Sequence, residues 1–257
     1  MMRLVFPEPL SPTIEMVSLV LVSKLMFCKT FMTSLPVWYL RLIFFNLRRV
    51  DMNKSLIIKI IVLCLVSITA SAQDKVVLVG DSLMAGYGLP KEQQLSMVLE
   101  KNLQKKGYNI KIINGSVSGS TSSGGLNRVK WTLEEPNIDL LILGLGANDM
   151  LRGIDPQETK KNLDNIIQIA QGKNIKIILA GMLAPTTHGI GYKKNFDRIY
   201  PSLATQYKLP LIPFLLEGVA MKPELNQSDG IHPNREGTVV MSVTLEKSII
   251  RFIKKKY

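Results

Sequence analysis

Five short segments, residues 75–79, 110–113, 140–145, 175–180 and 211–214, are almost unbroken in apolar residues. A strand wetted on one face alternates apolar with polar residues, so unbroken runs require strands covered on both faces. Longer amphipathic stretches separate them. Residues 93–106 carry Leu95, Val98, Leu99 and Leu103 at helical spacing. Asp155 and Pro156 supply an N-cap and a first-turn proline, and Leu163, Ile166, Ile167 and Ala170 continue a buried stripe. Further helices are expected over 195–206, which Pro201 should end or kink, and over 234–255. This alternation predicts an α/β fold: a three-layer α/β/α sandwich around a five-stranded parallel sheet with right-handed crossovers.

The pattern occupies only residues 73–257 of the chain, a size for one domain with a full core. Ahead of it, Met52, Asn53 and Lys54 open a basic start, residues 56–68 are almost wholly apolar, interrupted by Lys59, and Ala70-Ser71-Ala72 gives a small-residue cleavage site. That layout predicts a signal peptide over 52–72, with an uncleaved anchor as the alternative. The apolar stretch is short for a bilayer, which takes roughly 20 residues. A signal peptide belongs at a true N-terminus. Translation is therefore expected to begin at Met52, leaving residues 1–51 as a non-native extension; a genuine extension with a second hydrophobic segment is the alternative.

Both cysteines, Cys28 and Cys64, precede residue 73, so the expected domain holds no disulfide. It keeps 24 basic and 17 acidic residues, a net charge of +7. The excess is spread over helix faces and a terminal run, Lys254-Lys255-Lys256, without the interleaved aromatics that single-stranded nucleic acid requires. A solvated basic surface is expected, with weak attraction to anionic membranes as the sharper reading and nucleic acid excluded.

Reactive groups in such sheets gather at the carboxyl edge of the strands. Ser82, Gly119 and Asn148 each follow one of the first three strands within a few residues. A serine hydroxyl is a poor nucleophile until a base takes its proton. Of the two histidines, His232 has a carboxylate three residues earlier, Asp229, and a stiffening Pro233 after it. Asp229 can hold Nδ1–H while Nε2 faces the serine. His188 has no neighbouring acid and reads as a surface or pocket-lining residue. The N–H groups of Ser82 and Gly119 and the Asn148 amide can serve as oxyanion donors. Asp81 and Asp149 are expected to brace turns, and no His/Cys cluster suggests a metal.

Gly80-Asp81-Ser82-Leu83, Gly119, Gly146-Ala147-Asn148-Asp149 and Asp229-Gly230-Ile231-His232 together resemble the four blocks of the SGNH (GDSL) hydrolases. Residues 81–89 and 148–153 are most similar to its bacterial periplasmic thioesterase/lysophospholipase/arylesterase branch. The resemblance implies a flavodoxin-like sheet, a Ser82 nucleophile, a His232 base oriented by Asp229, and an oxyanion hole of Ser82, Gly119 and Asn148. It implies no metal or other cofactor. Two positions depart from the branch: Ser120 stands where an aspartate is usual, and Ala147 where glycine is common. Without the second glycine of a nucleophile elbow, residues 80–84 do not fit an ordinary α/β-hydrolase.

The expected activity is therefore that of an exported serine esterase acting on small acyl esters, thioesters or lysophospholipids. Loops 84–89, 151–154 and 183–192 are expected to border the acyl group. A carbohydrate O-acetyl esterase is the alternative, mildly disfavoured because Trp131 is the domain's only tryptophan. A non-catalytic binding protein of the cell envelope is the reading of another class.

Overall fold

The computed structural model describes residues 73–256, so the readings made for residues 1–72 lie outside the described residues. Strands β1 (Asp74–Gly80), β2 (Ile110–Asn114), β3 (Leu140–Gly144), β4 (Lys176–Ala180) and β5 (Leu211–Ile212) form one sheet. Its order is β2-β1-β3-β4-β5, and every neighbouring pair is parallel. All five residues of β3 are buried, as are Val76 to Gly80 of β1. The unbroken apolar runs thus mark the strands that helices cover on both faces.

Eight α-helices connect and cover the strands in the described residues: α1 (Ser82–Ala85), α2 (Leu95–Lys105), α3 (Ser122–Thr132), α4 (Ala147–Leu151), α5 (Pro156–Gly172), α6 (Ile190–Asp197), α7 (Ile199–Tyr207) and α8 (Arg235–Lys256). Helices α2 and α8 pack together on one side, while α3 packs on α5 and α5 on α7. Asp155 caps α5 by accepting from the Gln157 N–H at 2.9 Å, ahead of Pro156 in the first turn. Leu163, Ile166, Ile167 and Ala170 point into the core. Fully burying each large aliphatic side chain contributes about 1.5–3 kcal/mol relative to exposure.

Three features differ from expectation. Strand β5 stops at Ile212 rather than Phe214, because Pro213 has no N–H to continue the ladder. The segment expected over 195–206 is two helices that meet at Arg198, not one interrupted at Pro201. Pro201 is the third residue of α7, where a missing N–H costs no intrahelical bond. Helix α3 was not expected at all, since its sequence contains Gly124 and Gly125 and has a weak apolar stripe.

The strand order reverses direction between β1 and β3. Chain leaving their carboxyl ends diverges there, which opens the crevice that doubly wound sheets use for ligands. Ser82 follows β1 directly, and Asn148 lies four residues past β3.

Candidate active site

The turn carrying Ser82 exists because two glycines leave room for it. Gly80 and Gly144 are register partners at the ends of β1 and β3. A Cβ on either would come within 2.5 Å of the Met84 sulfur, so the fully buried Met84 side chain seats α1 directly on the strand ends. Asp81 caps α1 by accepting from the Leu83 N–H at 3.0 Å. Gly86 closes it in the left-handed region, at φ 81°, donating to the Ser82 carbonyl. Ser82 is thereby the first residue of a one-turn helix, half-buried with its hydroxyl at the rim.

His232 comes from the loop before α8. Its Nε2 lies 2.9 Å from Ser82 Oγ, and its Nδ1 lies 2.7 Å from Asp229 Oδ2. The other carboxylate oxygen, Oδ1, accepts from the backbone N–H groups of Ile231 and His232, each at 3.0 Å. Those backbone bonds, His232 first and Ile231 next, with the imidazole contact third, hold the Asp229 carboxyl down at about 2. Asp229 is consequently ionised across the whole neutral range. An imidazole held this way carries its proton on Nδ1 and offers Nε2 as acceptor for the serine proton.

Gly119 and Asn148 join this line indirectly. The loop before Gly119 is sewn to the turn carrying Ser82 by a Val117 N–H donating to the Gly80 carbonyl at 3.1 Å. Gly119 itself is exposed with φ 76°, and its carbonyl accepts from Arg152 at 3.1 Å. Asn148 sits in the first turn of α4 and hydrogen-bonds to Asp81. Helix α4 begins at Gly146, whose φ of 118° and close approach to the Tyr200 hydroxyl exclude a side chain. Ala147, the second departure in sequence, is buried without disturbing that start.

Ser120 has a partner that sequence did not indicate. Its hydroxyl accepts from Arg128 Nη1, and Arg128 Nη2 donates to the Gly80 carbonyl at 3.0 Å. A hydroxyl thus receives the guanidinium beside the site, and Arg128 Nε is buried with no partner. Gln227 was missed as a site residue, and Tyr87 was expected only as part of loop 84–89. Tyr87 lies against the His232 ring with centroids 4.6 Å apart, and Gln227 donates to the Tyr87 carbonyl at 2.8 Å. His188 is exposed on a 3₁₀ turn and packs on Tyr192 at 5.1 Å between centroids, apart from this network.

The site lies at the carboxyl edge of the sheet. Two surface hollows of about 280 and 420 Å³ lie elsewhere, one lined by Pro156, Lys160 and Arg198, the other by Leu126, Lys130 and Gln168. Among the described residues no cluster of His, Cys, Asp or Glu could hold a metal ion.

Asp81 is a buried carboxyl with a stability consequence. Burial pushes it up to about 6 from 3.8, against the opposing pull of the Leu83 N–H, His232 and Asn148. The folded state therefore binds this proton more tightly than the unfolded chain. The sign follows: stability from this group is greatest below about pH 4, falls as pH rises toward 6, and is flat above. Asp81→Asn keeps a capping oxygen and removes the charge. It should be more stable than the parent at pH 8, by at most about 3 kcal/mol. At pH 4 and below the advantage should vanish. Denaturant unfolding of both proteins at the two pH values checks this, and a difference independent of pH would refute it.

The fold and this rim define a serine-type hydrolase on a flavodoxin-like sheet. Comparison with known proteins narrows the class. Residues 78–239 match the GDSL-like lipase/acylhydrolase family. The chain is 40% identical over 172 residues to esterase TesA of Pseudomonas aeruginosa, covering 66% of this chain and 86% of that one. It is 35% identical over 187 residues to thioesterase 1/protease 1/lysophospholipase L1 of Escherichia coli K12, covering 73% and 88%. The crystal structure of the psychrotrophic esterase EstA from Pseudoalteromonas, inhibited by monoethylphosphonate, matches with a TM-score of 0.68 at 28% identity. That alignment covers 71% of this chain and all of EstA. The chain belongs to the GDSL-like lipase/acylhydrolase family and is a serine esterase of that family.

Proposed function

We propose that this esterase is exported and cleaves carboxylic-ester and thioester bonds through an acyl-enzyme on Ser82. The observation that supports this reading most is the continuous line Ser82 Oγ, His232 Nε2, His232 Nδ1, Asp229 Oδ2, with contacts of 2.9 and 2.7 Å. Ser82 Oγ attacks the acyl carbonyl as its proton passes to Nε2. Negative charge on the carbonyl oxygen is accepted by the N–H groups of Ser82 and Gly119 and by the Asn148 amide. Collapse expels the alcohol or thiol, which takes the proton from His232. Water then attacks the acyl-serine by the same route in reverse.

Exposed apolar side chains on the bordering loops, Leu151, Leu183 and Ile190, support an acyl group as the bound portion. The Tyr192 hydroxyl donates to the Ile154 carbonyl at 3.0 Å, fastening loop 183–192 to loop 151–154. Esters, thioesters and lysophospholipids of small size fit such a rim. The net charge of +7 over residues 73–257 supports weak attraction to an anionic membrane surface. Among the described residues no helix is long and apolar enough to cross a membrane.

A fluorophosphonate probe should modify this protein once, and mass spectrometry of the peptides should place the adduct on Ser82. A panel of p-nitrophenyl esters, acyl-CoA thioesters and lysophospholipids then ranks the acyl substrates. An unlabelled Ser82 in a protein that hydrolyses none of them would sink the reading. For export, Edman sequencing of the protein recovered outside the cytoplasm should begin at Gln73. A start at Met1 or Met52 overturns the proposed signal peptide.

A further inference from the structure

His232 faces a mechanical problem. Its loop belongs to no helix or strand, and its carboxylate partner is more than one-third exposed, at 37%. Yet Nε2 must stay within hydrogen-bond reach of a hydroxyl 150 residues away in sequence. Asp229 and Ser82 hold two edges of the imidazole. Neither restrains rotation of the ring out of their common plane.

We propose that Tyr87 and Gln227 form a strap that fixes the His232 ring against the nucleophile turn, making both of them positioning residues for the reaction. The proposal rests on the reading of Ser82 as nucleophile and His232 as base. Tyr87 covers one face of the imidazole, with ring centroids 4.6 Å apart and planes inclined by 39°. Its own backbone N–H donates to the Ser82 carbonyl at 3.2 Å, so the covering ring is anchored on the nucleophile residue itself. Gln227 ties the two segments together. Its Nε2 donates to the Tyr87 carbonyl at 2.8 Å and to the Pro233 carbonyl at 3.0 Å. Its backbone N–H donates to the His232 carbonyl at 2.7 Å, and its carbonyl accepts from Gly230 at 2.9 Å.

Gly88 gives independent support. With φ of 72° it turns the chain immediately after Tyr87, and a Cβ there would collide with Gln227 Oε1. The backbone at residue 88 is thus packed directly on the Gln227 side chain. An aromatic face beside the imidazole also favours the imidazolium that forms when the serine proton transfers. Tyr87 supplies that face whether or not its hydroxyl is present.

The strap makes a prediction that a simple substrate wall does not. Tyr87 is 52% exposed, so its variants should fold normally. With p-nitrophenyl acetate, Tyr87→Leu should lower kcat about tenfold and leave KM within twofold, while Tyr87→Phe should retain at least half of kcat. Gln227→Ala should lower kcat similarly. The double variant should lose little more than the worse single one, because both act through the same ring. A Tyr87→Leu defect confined to KM, growing with acyl-chain length, would overturn the strap and make Tyr87 a wall of the acyl site. So would losses that multiply in the double variant. Parent protein and Ser82→Ala are run alongside. An inactive parent, or an active Ser82→Ala, defeats the underlying reading of Ser82 and His232 instead.

Discussion

Ser82→Ala and His232→Ala should each lower kcat for a p-nitrophenyl ester by about 10⁴–10⁶-fold, and the double variant should lose no more than either alone. The reason lies in how the proton moves. Ser82 Oγ and His232 Nε2 share one contact of 2.9 Å, so removing either partner removes the same event. Residual activity should come from oxyanion donors and substrate binding, which neither substitution touches. Asp229→Asn should lose about 10³–10⁴-fold, because an amide can donate to Nδ1 and hold the imidazole in the wrong tautomer. Asp229 is held at about 2, chiefly by backbone N–H groups, so its own titration is complete well below neutrality. Any stability it contributes is present above pH 4 and is lost as pH falls toward 2. A drop in activity between pH 5 and 7 thus cannot be assigned to Asp229. Initial rates of the four variants, each checked for folding by circular dichroism, test the scheme. Losses that multiply in the double variant would break it.

The parts legible in sequence are those whose physics is local. Unbroken apolar runs mark strands because burial on both faces leaves no polar position, and β1 to β4 follow them within a residue or so at each end. Helix α3 was hidden because its glycines answer a tertiary demand. A Cβ on Gly125 would collide with Leu145, so the helix trades propensity for close approach to the chain leaving β3. The site divides in the same way. The proposed set, Ser82, His232, Asp229, Gly119 and Asn148, consists of residue types that can supply a nucleophile, a base, a carboxylate or an oxyanion donor, and Ser82, Gly119 and Asn148 follow strand ends within a few residues. The contacts that bring Tyr87, Gln227 and Arg128 to the site include ones between segments far apart in sequence; the Gln227–Tyr87 bond spans 140 residues and the Arg128–Gly80 bond 48. Nothing in their local sequence signals those contacts.

Asp149→Ala should be among the most destabilising single changes in the domain, at about 3–5 kcal/mol. Asp149 is 1% exposed and ties three helices together. Its carboxylate accepts from the Ser122 N–H at 2.7 Å, from the Ser122 hydroxyl, and from Thr159 Oγ1 at 3.2 Å. Asn162 extends the network by donating to Ser122 Oγ at 3.0 Å. Alanine leaves these donors buried without their acceptor. For a domain of this size the loss corresponds to a melting point roughly 10–15 °C lower. Asp149→Asn keeps one acceptor oxygen but turns an NH₂ toward a donor, so it should fall between parent and alanine variant. The effect also reaches the chemistry. Ser122 starts α3 two residues beyond Ser120, and Asp149 follows Asn148 in α4, so this carboxylate fixes the spacing between the loop that carries Gly119 and the helical turn that carries Asn148. Measured well below its melting point, Asp149→Ala should still lose about tenfold in kcat, less than the 10²–10³-fold expected for removing an oxyanion donor outright with Asn148→Ala. A variant that melts within 2 °C of the parent would show that the three helices are held by apolar packing alone. One that loses stability but keeps full kcat would confine Asp149 to the fold and detach it from the placement of Gly119 and Asn148.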